Sequence, residues 1–465
     1  MSEAERYLER WQSRNREPTH YENALGDRLE AAFADGIANL ADLVRRLNEL
    51  NVKAPDGQDW TEDSFQGEMR SLGAEATPIC SSGWYGPSSE VSLLEPFAAT
   101  AKTGPARSYR LLRKHITSAD IDALLARGLR NKWYALCPSC FVTDRPVGLL
   151  RAGESLVLWR EREGTLHIQE DRCPHRGAPL ARARHLGDRL ACIYHGVEVL
   201  GDGTVAAVPA MPECKLVGKR LVKTYPSMEV KGAIFAYIGD ALHPEPVAFT
   251  PAEQLASDAY DAFLCYIEWK VPYRYVIDNV MDPMHGTYLH AVSHSMARGE
   301  KQAKFVIRKT GHGFIFEKEG QHDVNFDWVE WQDTGSFWMR LEIPYPQSSG
   351  PGGNFGIIAH CTPIDNQTSA VFFWRFRKVQ GWQRDIWRFL YKNRLEGRHW
   401  DVLEQDRRLL EALPHDADRH EHLYQHDAGL TRVRRLLRKE AKAQLEALVV
   451  ASGQRRSPSK SEANR

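Results

Sequence analysis

Leu40, Leu43, Val44, Leu47 and Leu50 recur at i, i+3, i+4, i+7 and i+10, which builds one apolar helical stripe. Asp56 and Gly57 then make a turn. Thr61 caps a second helix carrying Phe65, Met69 and Leu72, and Gly73 ends it. Residues 1–75 therefore read as a small helical unit. Residues 76–130 are a linker and lead-in, dominated by Gly, Pro, Ser and Ala as far as residue 106. From 131 to 245 the texture becomes short β-type runs broken by turns: SLVLWRE, TLHIQE, RLACIY and GAIFAYIG. Residues 246–448 mix strands and helices. The runs KFVIRKT, GFIFEKE, FWMRLEI, FGIIAHCTP and AVFFWRFRKV precede a long helical region from about 381 to 448. Residues 449–465 are polar and read as a disordered tail. The class is α+β, in three structural units.

Composition narrows the function classes. The chain has 465 residues, 42% hydrophobic and 26% charged, ordinary for a globular protein. Lys plus Arg and Asp plus Glu both number 61, so no chain-wide basic field exists for nucleic acid or anionic lipid. No apolar run is long enough to span a bilayer, and MSEAERYLERWQSRNREP lacks the apolar core of a signal peptide. The expectation is a cytoplasmic protein without a membrane segment. Eight cysteines are too sparse for a disulfide scaffold. The run LVRRLNELNVKAPDGQDWTEDSFQGEMRSLG resembles the helix-turn-helix module of large serine recombinases. Residues 1–100, however, hold nine Lys or Arg against eighteen Asp or Glu, a net −9 and the wrong sign for phosphates. The segment reads as an accessory or protein-contact domain.

Two of the cysteines sit beside histidines. Cys173 and His175 are followed by Cys192 and His195 in the pattern C-x-H-x16-C-x2-H, both pairs at loop tips between expected strands. Two thiolates and two imidazoles can hold zinc or iron. Zinc fingers usually group Cys with Cys and His with His, whereas each loop here supplies one of each. That suits a [2Fe–2S] cluster with both cysteines on one iron and both histidines on the other. Gly177 and Gly196, just after the histidines, would let backbone amides approach the sulfides. Residues 131–245 thus resemble a Rieske domain. Ala178 and Tyr194 stand where respiratory-chain Rieske proteins carry an extra cysteine pair, so the resemblance is to the oxygenase and ferredoxin type. Val197 stands where oxygenases usually have Trp.

A second constellation, Asn279, Asp282, His285 and His290, reads N-x2-D-x2-H-x4-H. It resembles the mononuclear iron motif of Rieske non-haem iron oxygenases, where two histidines and a carboxylate leave metal positions open for dioxygen and substrate. His285 and His290 are about 140° apart on an ideal helix, so both reach one ion only if the helix ends or bulges, expected around Gly286. Asp406, in a D-x4-E context with Glu411, is the candidate third ligand; Glu404 and Asp401 on the same helix are its rivals. The resemblance implies that Asp282 bridges electrons, by bonding a Rieske histidine of the neighbouring subunit and an iron histidine. Asn279 falls near the open side of the iron, or is helix-end chemistry beside Pro283.

The resemblance covers about 131–440 and implies a β Rieske domain joined to a helix-grip catalytic domain in head-to-tail homotrimers, with or without a smaller β subunit. It also implies an oxygenase component fed from NAD(P)H through a reductase, directly or by way of a ferredoxin. The implied reaction is hydroxylation or oxidative demethylation of an aromatic or cyclic substrate, with ring cis-dihydroxylation the alternative. A Rieske electron carrier without oxygenase chemistry is a further reading, against which the complete second motif argues. Cys137 and Cys140 form a C-x-x-C that reads as packing. His415, His420, His422 and His426 lack a ligand spacing and read as a solvated face.

Overall fold

The computed structural model describes residues 12–14, 16–74, 116–296, 298–414 and 416–454. Helices α1 (His20–Ala34), α2 (Leu40–Glu49) and α3 (Glu62–Gly73) form the N-terminal unit. Each begins where a side chain satisfies its free amides: Thr19, Asn39 and Thr61 accept from Glu22, Asp42 and Ser64. Leu43, Val44 and Leu47 are buried as the stripe requires. Gly73 is the last helical residue of α3 rather than a left-handed cap. A Cβ there would lie 2.7 Å from the Asp385 carbonyl, so close packing is what requires glycine. The segment read as linker is outside the described residues as far as 115. Beyond it, Thr117 caps α4 (Ser118–Arg127), which rests on the C-terminal helix through Arg438 and Asp122.

Ten short strands make the next unit. β1 (Lys132–Pro138) pairs with β10 (Ala233–Ile238), which pairs with β9 (Ser227–Val230). β2 (Val147–Arg151), β3 (Glu154–Arg160) and β4 (Leu166–Glu170) form a second sheet. β5 (Arg184–His185), β6 (Arg189–Ala191), β7 (Glu198–Leu200) and β8 (Val205–Ala207) form a third. Alternation along β1 splits its side chains: Tyr134 and Leu136 enter the core of this unit, Trp133 and Ala135 the seam with the next.

After a single turn, α5 (Glu253–Ala256), comes a seven-stranded antiparallel sheet. Its strands are β11 (Tyr260–Trp269), β12 (Phe305–Lys309), β13 (Gly313–Lys318), β14 (Trp328–Asp333), β15 (Phe337–Ile343), β16 (Phe355–Pro363) and β17 (Ser369–Lys378), in the order β11-β17-β16-β15-β14-β13-β12. β11 and β14 are absent from the strand-like runs read in the sequence. Asp261 and Glu268 blur the first, and tryptophans at Trp328 and Trp331 suit core of any kind. β17 is buried on both faces, which explains its nearly continuous apolar run. Phe372, Trp374 and Phe376 meet Trp133, Phe235 and Tyr237 at the seam, while Val371 and Phe373 face the helices.

Those helices are α6 (Tyr273–Val280), α7 (Pro283–Leu289), α8 (Gly381–Leu390), α9 (Glu396–Glu411) and α10 (Ala428–Gln454). The long helical region is therefore not continuous: residues 412–427 interrupt it, with Pro414 unable to continue a helix. α10 also runs through Gln454, six residues into the segment expected to be disordered; Leu437, Ala441 and Leu445 anchor its preceding turns in the core. One π-helical turn, Tyr391–Leu395, joins α8 to α9 without a break. The N-terminal unit covers α8. Phe65 and Met69 of α3 share a core with Ile386, Trp387 and Leu390, and Lys392 donates to the Gly73 carbonyl at 3.3 Å. The Glu396 carboxylate accepts from the Gln12 and Ser13 amides at 2.8 and 3.1 Å. One face of α3 is thus buried on α8 within the chain.

Candidate active site

The two loops of the β unit are built alike. Cys173 donates its amide to the Ala178 carbonyl and accepts from Gly177 at 2.9 Å; Cys192 does the same with Val197 and Gly196. Gly177 and Gly196 turn the chain at φ +75° and +71°. Their own amides are used on the cysteine carbonyls, while the His175 and Arg176 amides lie against the Cys173 sulfur. Leu180, Leu190, Val197 and Val199 bury both thiols. The thiols sit side by side, and Cys173 is held above the ordinary thiol range by burial and by its neighbour. The imidazoles face outward, rings 4.6 Å apart, with Tyr194 against His195 at 3.9 Å. Two thiols on the inner side and two imidazoles on the outer side fit the unequal irons of a Rieske cluster. Cys173 and Cys192 are not disulfide-bonded.

The second constellation also converges. His285, His290 and Asp406 each offer a ligand atom within 4.8 Å of the others. Asp406 Oδ1 lies 3.4 Å from His285 Nε2 and 3.2 Å from His290 Nε2. Burial opposes ionisation, yet the two imidazoles hold the Asp406 carboxyl well below the usual carboxylate range. The helix ends where geometry demands, but four residues later than expected: α7 runs through Gly286 to Leu289, and His290 is its C-cap, at φ −102° and ψ 22°. Asn279 Nδ2 reaches the same Asp406 oxygen at 3.2 Å. The rivals lie off this face. Glu404 is paired with Arg407 and Arg408, and Asp401 is exposed.

Both imidazoles are oriented from behind. His285 Nδ1 bonds the Asp282 carbonyl, and His290 Nδ1 lies 3.0 Å from Gln405 Oε1. An acceptor at Nδ1 fixes the proton there and leaves Nε2 free for a metal. The Asp282 main chain, not its carboxylate, makes this bond. The carboxylate caps α7 by accepting the Met284 amide at 2.9 Å, a task the first turn imposes before Pro283.

Residues 132–226 match the family model of the Rieske [2Fe-2S] domain, and 269–443 that of the vanillate O-demethylase oxygenase C-terminal domain. The chain belongs to the Rieske oxygenases. The chloroacetanilide N-alkylformylase oxygenase component of Rhizorhabdus wittichii is 29% identical over 351 residues, 70% of this chain and 98% of that one. The vanillate O-demethylase oxygenase subunit of a Pseudomonas species is 35% identical over 166 residues. That match covers 35% of this chain and about half, 46%, of the relative. Dicamba monooxygenase bound to dicamba shares the fold, with TM-score 0.56 at 21% identity over 69% of this chain and 99% of its own. Residues 3–74 match a recombinase-like helix-turn-helix domain.

In this Rieske oxygenase the three candidate iron ligands open on a cavity of about 600 Å³, walled by Met296, Phe326, Ile343, Phe355, Phe373 and Leu403. Sequence reasoning missed three polar residues here. Gln405 adjoins Asp406, but adjacency on a helix predicts divergence rather than shared duty. His399 stands seven residues before Asp406, hence on the same face of α9, a signal that was present. Arg375 interrupts an apolar run, which marks a charge inside a strand buried on both faces. The residues set aside stay apart. Burial pushes the Cys137 thiol up to about 12, and His420 and His422 are exposed. His426 contacts the Ala303 carbonyl; His415 is outside the described residues.

Proposed function

We propose that this Rieske oxygenase hydroxylates or oxidatively demethylates an aromatic or cyclic small molecule in the 600 Å³ cavity. The convergence of His285, His290 and Asp406 on that apolar cavity is the observation that carries the reading. Cys173, His175, Cys192 and His195 hold the [2Fe–2S] cluster, and His285, His290 and Asp406 the mononuclear iron. The chemistry these groups supply when bound is single-electron transfer and dioxygen activation. The chain's own part is positional. Gln405 and the Asp282 carbonyl orient the imidazoles, Asn279 steadies Asp406, and the apolar walls exclude water.

Electrons come from a cytoplasmic NAD(P)H-dependent reductase, directly or through a ferredoxin docking at the loop tip. There His175 and His195 are exposed, with Ile193 at 57% and Tyr194 at 55% beside them. The same tip serves a head-to-tail homotrimer, in which Asp282 bridges to a Rieske histidine of the next subunit. Among the described residues no helix is long and apolar enough to cross a membrane. Metal and sulfide analysis with EPR tests the reading. About three irons and two sulfides per chain, a reduced Rieske signal and a ferrous–nitrosyl signal are expected. Two irons and no nitrosyl signal from iron-replete protein would leave only an electron carrier.

A further inference from the structure

Arg375 has more hydrogen-bond donors than partners. It lies on β17 and is 2% exposed, with its side chain on the wall of the active-site cavity. A guanidinium carries five N–H donors. One of them, on Nη1, reaches Tyr391 Oη at 3.2 Å, and the plane lies over the Trp400 ring at 5.6 Å. Among the described residues no carboxylate pairs with it inside 4.0 Å, although buried arginines are ordinarily paired. Arg151 and Arg377 show the usual solution in this same fold. Arg151 pairs with Glu268 at 2.8 Å, and Arg377 is spent on the Ser349, Gly350 and Gly353 carbonyls. The acid that acts on Arg375 from a distance is Glu396, whose oxygens already accept from Gln12 and Ser13.

A second polar group lies on the same wall. His399 Nε2 is 2.9 Å from the Tyr345 hydroxyl, while its Nδ1 is buried without a partner. Burial and the nearby Arg375 hold this imidazole neutral. With the Tyr345 hydroxyl donating to Nε2, the Nδ1 proton is free to be given to an acceptor in the cavity. Apart from the three iron ligands, Asn279 and Ser295, the rest of the cavity wall is apolar.

We propose that Arg375 and His399 form an anion subsite in the substrate cavity, so that the substrate is an aromatic carboxylate or an anion of like shape. The inference rests on the reading of this cavity as the substrate site. The Arg375 guanidinium and the His399 Nδ1 proton take the anionic oxygens, and the ring fills the apolar space between that end and the iron ligands. Anchoring one end of a planar substrate fixes which atom meets the metal, so Arg375 is a specificity-determining residue.

The test is anaerobic calorimetry on the full chain loaded with cluster and iron, using 4-methoxybenzoate and its neutral counterpart 4-methoxybenzamide. The carboxylate is expected to bind about 30-fold or more tighter, the factor that goes with a buried charge-assisted contact. Arg375→Gln is expected to erase that preference and Arg375→Lys to restore part of it. Equal binding of the two probes, tighter binding of the amide, or no saturable binding of either overturns the proposal. Preference for the carboxylate surviving in Arg375→Gln overturns it as well. If Arg375→Gln does not fold, the wild-type comparison of the two probes decides. Failure of the oxygenase reading looks different: the iron count and nitrosyl signal are lost while the carboxylate preference remains.

Discussion

The two metal-binding regions of this chain solve the same problem, holding several ligand atoms together, by different means. At the loop pair each cysteine and its histidine are two or three residues apart, and the two loops repeat one backbone pattern around Gly177 and Gly196. Main-chain bonds fix the geometry, and the thiols need only an apolar floor. At the second site His285 and His290 lie more than a hundred residues from Asp406. Nothing local brings them together. The sheet, the packing of α9 on α6, and side-chain bonds from Gln405 and Asn279 do so. The first site is short-range and ends in exposed imidazoles ready for exchange with a partner. The second is long-range and buried, as substrate chemistry away from water requires.

The largest effects should separate the two regions. Asp406→Asn is expected to drop turnover to background and iron from about three to about two per chain, with the reduced Rieske EPR signal unchanged. Cys173→Ser should do the converse, removing the cluster signal while keeping a nitrosyl-binding iron. Loss of both signals in either variant would break the comparison, because it would make the sites one cooperative unit. Next in size is the orientation of His290. Gln405→Leu should weaken mononuclear iron binding about 10–100-fold in chelator competition, and Gln405→Glu should retain it. Unchanged affinity in the leucine variant would mean that packing alone aims the ring. The smallest effect sharpens the local side. Gly177→Ala forces a side chain into φ +75° and should cost about 1–2 kcal/mol, read as a lower Tm and earlier cluster loss. Gly286→Ala, inside α7 with its Cβ site 3.3 Å from the Phe326 Cβ, carries no such backbone penalty and tests packing instead.

How much of this was legible beforehand follows the same division. The cluster ligands were readable because their chemistry and spacing are local. The iron histidines were readable as a motif, and the need for a helix end between them followed from 3.6 residues per turn, though the end came at His290 rather than Gly286. Asp406 was separable from Glu404 and Asp401 only by pattern. In the structure burial separates them, since Glu404 turns to arginines and Asp401 to the surface. The N-terminal helices were legible one by one, but their docking on α8 was not, because an apolar stripe does not name its partner. Strands β11 and β14 escaped notice because alternation is weak where both faces of a sheet are covered.

Residue order alone tells which atoms this protein offers: two thiols and two imidazoles in paired loops, two further imidazoles five positions apart, a carboxylate on a late helix, and an acidic N-terminal unit unsuited to phosphates. Those facts depend on residue type and on distances of a few positions, which the chain cannot change. Tertiary structure alone decided that Gln405 backs His290, that the Asp282 carbonyl backs His285, and that Arg375 and His399 share the cavity with the iron ligands. These are contacts between elements far apart in the chain, made by burial that no local pattern specifies. The physical reason is that hydrophobic packing is non-directional: it brings the elements together, and only the finished fold shows which polar groups were carried inside with them.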